Sequence, residues 1–279
     1  MASEYLHKEE HGDGDPILCL HGLGANIFTW RHFIEPLSAN NKLILIDLKG
    51  FGKSAKPEDD YYSLQNHADA VYELILKNDW RRLTLIGNSY GGALALLLAG
   101  RLEESGPSRL LKLVLIDAAA YKEYLPGYVK LMRTLLGTLM IFLLPARLSV
   151  RFVLNLSCFD RGEITEEQVA AYAGPLGDPG AREALLQTVR QCIPPDADEL
   201  VTKFRNISVP TLILWGRHDK VIPLKAGELL NQALPNSVLE IVEECGHMPQ
   251  EEQPEKTITR ISEFLAVGTT RDSFTRSVT

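Results

Sequence analysis

Short, largely apolar runs recur along the chain, and each stops at a glycine or a polar residue. The runs 17–20, 43–46, 83–86, 113–116 and 211–215 show no in–out alternation. That is the pattern of strands covered by helices on both faces. A short, partly polar strand is expected over 5–11, and a last strand over 238–242. Helical spacing fills the gaps: 26–37, with Phe28, Trp30, Phe33, Ile34 and Leu37 apolar; 63–77, with Ser63 as N-cap; an Ala/Leu-rich run after Gly92; 224–234; and an amphipathic 254–265. Strands alternating with helices predict an α/β protein with a mostly parallel, doubly wound sheet. Polar residues gather past the carboxyl ends of the strands, where open α/β sheets place their ligands.

The rhythm breaks between Asp117 and about residue 207. This stretch has no buried-strand run and is punctuated by Pro126, Pro145, Pro175, Pro179, Pro194 and Pro195. It predicts several helices that form a cap over the sheet. The expected organisation is therefore a core of 1–117 and 207–268, a helical cap of 118–206 and a flexible polar tail of 269–279. Inside the insert, 134–146 carries no charge except at its flanks and contains Leu139, Met140, Ile141, Phe142, Leu143 and Leu144 in a row. A core helix, a pocket lining and an interfacial patch all fit it; a membrane span does not, because it is too short.

Composition adds bounds. The chain has 279 residues, 45% of them hydrophobic and 23% charged, with a net charge of −7. Those are the proportions of a globular protein, and the sign argues against a nucleic-acid partner. Residues 1–4 do not read as the start of a signal peptide. Cys19, Cys158, Cys192 and Cys245 have no metal-ligand or CxxC spacing. Reduced thiols and a cytoplasmic location are expected, with no cofactor and no metal.

The chemistry centres on Gly87-Asn88-Ser89-Tyr90-Gly91, which lies between a strand and a helix. It matches the G-x-S-x-G nucleophile elbow, a sharp turn that presents a serine hydroxyl and leaves no room for nearby Cβ atoms. A serine needs a base and an acid that orients the base, and in this arrangement they follow in the order Ser, Asp or Glu, His. Two histidines follow Ser89: His218, and His247 in a Gly-His turn after the last strand. His247 is the expected base. Asp219 is the expected acid and Asp117 the alternative, since both end strands; Asp47 precedes the serine and is expected to be structural. Two fixed N–H donors must meet the developing oxyanion. They are assigned to the backbone amides of Tyr90 and of Leu23, the latter in a turn loosened by Gly22 and Gly24. His21 is expected to brace that loop.

Together, the stretches 20–24 (LHGLG), 47–54 (DLKGFGKS), 87–92 (GNSYGG), 216–223 (GRHDKVIP) and 246–254 (GHMPQEEQP) resemble the α/β-hydrolase fold superfamily. The resemblance implies a cap inserted after the sixth strand and a first antiparallel strand that here is absent or very short. A serine at the elbow sets the chain apart from the dehalogenase and epoxide-hydrolase branches, which hold an aspartate there. The GNS-x-GG elbow is similar to carbon–carbon bond hydrolases of ring-cleavage products. Those usually carry a tryptophan after the catalytic histidine, where this chain has Met248, and a longer oxyanion loop. The expected function is hydrolysis of a small or medium apolar carboxylic ester through an acyl-enzyme on Ser89. A carbon–carbon bond hydrolase is the alternative, and a ligand receptor on the same fold is the alternative of another class.

Overall fold

The computed structural model describes residues 2–105 and 109–266; the tail expected at 269–279 lies outside the described residues. Seven strands form one sheet: β1 Lys8–His11, β2 Pro16–Leu20, β3 Lys42–Ile46, β4 Leu83–Asn88, β5 Leu110–Ile116, β6 Thr211–Gly216 and β7 Ser237–Val242, in the order β1-β3-β2-β4-β5-β6-β7. All neighbours pair in parallel except β1, which runs antiparallel to β3 at the sheet edge. The short polar strand expected at the start is thus this antiparallel strand. The long insert follows β5, the fifth strand of this chain, which is the family's sixth when its first strand is absent.

The core explains why the apolar runs do not alternate. Successive side chains of a strand point to opposite faces, so a strand buried twice must be apolar throughout. Leu18, Leu20, Ile44 and Ile46 join one core layer, whereas Ile17, Cys19, Leu43 and Leu45 join the other. Helices α2 Leu64–Lys77, α3 Tyr90–Glu104 and α10 Leu224–Ala233 pack on the first face. Helices α1 Ile34–Ser38 and α12 Pro254–Ala266 close the second through Leu37, Ile261 and Phe264. Ser63 caps α2 as expected, in a reciprocal pair with Asn66. The helix expected over 26–37 is instead a 3-10 stretch, Ile27–Phe33, that passes into α1. Asn26 caps it, and Asp47 Oδ1 accepts the Ile27 N–H at 2.7 Å, so side chains dictate its pitch.

The insert holds α4 Gly127–Met132, α5 Leu135–Leu143, α6 Ala146–Ser157, α7 Glu166–Ala173, α8 Ala181–Gln191 and α9 Ala197–Lys203, and no strand among its described residues. The uncharged run 134–146 is not a core helix: within α5 only Gly137 is buried. A last short helix, α11 Pro249–Glu252, precedes α12.

Candidate active site

Ser89 stands at the turn between β4 and α3 with φ 54° and ψ −117°. A non-glycine residue held at positive φ costs about 1–3 kcal/mol, so neighbouring bonds must enforce it. They do: Ser89 N–H donates to Ile116 O at 3.0 Å, and Ser89 O accepts from Ala119 N at 2.9 Å. The glycine at 91 is obligatory, since a Cβ there would lie 2.0 Å from Leu20 O. Ser89 is half-buried and lines a cavity of about 740 Å³ together with Leu23 and Tyr90.

Asp219 and His247 meet beyond the ends of β6 and β7. His247 Nδ1–H donates to Asp219 Oδ2 at 2.7 Å, both groups being buried. Asp219 Oδ1 accepts the backbone N–H groups of Val221 at 2.7 Å and Ile222 at 2.9 Å. The carboxylate therefore has fixed partners on both oxygens. His247 Nε2 is buried and makes no hydrogen bond to any described residue, Ser89 included. His218 is exposed and stacks on Phe159, away from this cluster, as expected.

Asp117, the alternative acid, is also here. Its Oδ1 accepts Gly216 N–H at 3.0 Å, and a carboxylate oxygen of it, one of Asp219 and a ring nitrogen of His247 lie within 4.8 Å of one another. Burial, together with the charge of Asp219, pushes the Asp117 pKa well above the ordinary range. Asp117 is thus the protonated carboxyl beside Asp219, and Asp219 is the one that grips the imidazole.

Further groups position these residues and were not singled out in the sequence. Glu252 Oε2 accepts Gly246 N–H at 3.0 Å and its Oε1 accepts Met248 N–H at 2.9 Å, so one carboxylate brackets His247 on both sides. His247 N–H itself donates to Ser157 O at 2.7 Å. Asn88 Nδ2 donates to Ile116 O at 3.1 Å and to His247 O at 3.2 Å, tying the elbow to the histidine turn. Behind the elbow, the Tyr90 hydroxyl donates to His67 Nδ1 at 2.7 Å, and His67 Nε2–H donates to Lys49 O at 3.2 Å. Burial pushes the His67 pKa down to about 3, so the ring is neutral. The only sequence trace of Glu252 is its place in the stretch 246–254.

His21 braces its loop as expected: Nδ1–H donates to Gly22 O at 2.8 Å and Nε2 accepts Leu48 N–H at 3.0 Å. The loop abuts the elbow, since a Cβ on Gly22 would sit 3.3 Å from Ser89 Cβ. Tyr90 opens α3, so its amide is among those that the helix leaves without an internal acceptor. Asp47 is structural, as expected, and its Oδ2 accepts Lys53 N–H at 2.7 Å.

The cavity runs from Ser89 along one side of α3, past Ala93, Leu97 and Gly100, and its opposite wall includes Tyr121, Tyr124 and Val129 of the insert. No residue of 134–146 lines it, which removes the pocket-lining reading of that run. Its cationic lining residues are already engaged: Arg101 with Asp69, Lys122 with Asp198 and Lys203 with Glu199.

Comparison with known proteins agrees with this fold. The family described as alpha/beta hydrolase fold matches residues 15–254. A 2-hydroxy-6-oxo-2,4-heptadienoate hydrolase of Pseudomonas putida is 29% identical over 268 residues, spanning 91% of this chain and 90% of that protein. A meta-cleavage product hydrolase from Pseudomonas fluorescens superposes with a TM-score of 0.79 at 25% identity, over 93% of each chain. A putative lipase from Acinetobacter baumannii gives 0.80 at 26% identity, over 93% of this chain and 87% of that one.

Proposed function

Because the chain belongs to the α/β-hydrolase fold family, and so is a hydrolase, we propose that it cleaves an uncharged, apolar carboxylic ester through an acyl-enzyme on Ser89. Ser89 Oγ attacks the acyl carbon while His247 Nε2 takes its proton. Asp219 holds the imidazole in the tautomer that leaves Nε2 free to accept, and stabilises the imidazolium that forms. The backbone N–H groups of Leu23 and Tyr90 receive the oxyanion. His247 then returns the proton to the departing alkoxide, which leaves as the alcohol. A water repeats the sequence: its proton goes to Nε2, its oxygen to the acyl carbon, and the acid departs as Ser89 Oγ recovers the proton. The 118–206 insert acts as the cap and shapes the acyl site.

The observation that carries the ester reading is the cavity lining. A ring-cleavage dienoate brings a carboxylate that has to be matched by a cation. Here the cationic lining residues among those described each have an acidic partner, and the stretch beside Ser89 is aliphatic and aromatic. A neutral ester needs no such partner. Carbon–carbon hydrolysis remains the second reading, favoured by the likeness to the heptadienoate hydrolase. The test is turnover of nitrophenyl and alkyl esters varied separately in acyl and alcohol length, beside a 2-hydroxy-6-oxo-dienoate. Ester turnover that dominates supports the proposal; dienoate turnover with inert esters replaces it by the second reading.

A further inference from the structure

The insert leaves a row of large apolar side chains in solvent. Leu135 is 78% exposed, Leu143 75%, Leu136 and Leu148 61% each, and Phe152 58%. They lie on α5 and α6, two helices that meet at 119°. Large apolar side chains exposed together on two joined helices mark an interaction site.

The patch is held firmly. Thr134 Oγ1 accepts Gly137 N–H at 3.2 Å at the start of α5. At its end the Arg182 guanidinium donates to the carbonyls of Ile141, Phe142 and Leu144 at 2.6, 2.8 and 3.1 Å. A helix capped at both ends keeps its leucines outward by design of the fold, not by fraying.

Charge identifies the partner. The chain as a whole is at −7, yet between Glu123 and Asp160 it carries Lys130, Arg133, Arg147 and Arg151 and no acid. Arg147 and Arg151 share Glu166 of α7, so the elbow and its rim keep a net positive charge. Apolar side chains set among basic ones complement a surface of anionic lipid headgroups over acyl chains. A second copy fits less well, because an isologous contact brings the two cationic rims together. Neither helix alone crosses the bilayer, since the nine residues of α5 span about 13 Å against a hydrocarbon core about 30 Å thick, and the 119° bend to α6 keeps the pair from forming one straight span.

We propose that the α5–α6 elbow docks the protein on an anionic lipid bilayer, with Leu135, Leu136, Leu143, Leu148 and Phe152 entering the headgroup layer and the basic rim meeting lipid phosphates. Helix α4, which leads into the elbow, supplies Tyr128 and Val129 to the cavity wall. A docked elbow therefore holds that wall close to the bilayer. The inference does not depend on the reaction at Ser89, since binding is read without turnover.

Sedimentation of the full chain with vesicles tests it. Binding is expected to vesicles of phosphatidylcholine with phosphatidylglycerol, to be weak on phosphatidylcholine alone, and to fall with added salt. The triple variant Leu135→Ser, Leu136→Ser, Leu143→Ser should partition at least about tenfold less, with an unchanged melting temperature because these side chains are exposed. The double variant Lys130→Glu, Arg147→Glu should lose the preference for phosphatidylglycerol and keeps the test decisive if the triple variant fails to fold. The proposal is overturned by no binding to either vesicle, by variants that bind as the parent does, or by a dimer in analytical ultracentrifugation that the leucine variant dissociates while vesicles go unbound.

Discussion

Asp117 and Asp219 come from the ends of two adjacent strands and place their carboxyls side by side in the core, where only one of them can carry charge. Asp219 is held by two backbone N–H groups and by His247 Nδ1–H. Asp117 has one backbone donor on Oδ1, and no hydrogen-bond donor among the described residues reaches Oδ2. It keeps its proton, which Asp219 is placed to accept. Folding thus raises the Asp117 pKa, through burial first and the Asp219 charge second. Above the ordinary aspartate pKa of about 3.9, the unfolded chain releases this proton while the native state holds it. The stability contributed is complete below that value and is lost as pH rises towards the native pKa. Asp117→Asn removes the titration. Its melting temperature should exceed the parent's at neutral pH, and the difference should shrink as the pH falls to the ordinary aspartate range.

The same geometry ranks the two acids in catalysis. Asp219→Asn can no longer fix the tautomer of His247, and kcat should fall by about four orders of magnitude. Asp117→Asn keeps a donor beside Asp219 and should stay within about tenfold of the parent. Steady-state ester hydrolysis measures both, and the reverse ranking would move the acid to Asp117.

In the proposed reaction Glu252 acts through the turn that carries His247. Glu252→Gln turns a charged acceptor of three backbone N–H groups, from Phe159, Gly246 and Met248, into an amide with a donor of its own. A base displaced by a fraction of an ångström costs up to about a hundredfold. The expected result is a drop in kcat of that order with KM unchanged, which separates loss of positioning from loss of substrate binding.

Sequence made the sheet legible because burial on both faces favours largely apolar runs, and 17–20, 43–46, 83–86, 113–116 and 211–215 all fall on strands. The elbow was legible for steric reasons, and Asp219 and His247 for their places after strands. Glu252, Asn88 and His67 were not, because their partners are backbone atoms or side chains brought near only by the fold; Asn88 reaches His247 across the whole width of two strands. The run 134–146 left its place open for another reason. An uncharged helix has the same composition whether it faces a core, a pocket or solvent, and only the packing of α5 tells them apart. The pitch of 27–33 was hidden for a related reason, since Asn26 and Asp47 set it from outside its own apolar pattern.

The proposed ester hydrolysis rests on Ser89 as its nucleophile. Hydrolysis of a short-chain nitrophenyl ester by the parent and by Ser89→Ala tests it most directly. In the variant kcat/KM is expected to fall by at least about three orders of magnitude, while its melting temperature stays close to the parent's. Ester hydrolysis by Ser89→Ala at near the parent's rate would contradict it.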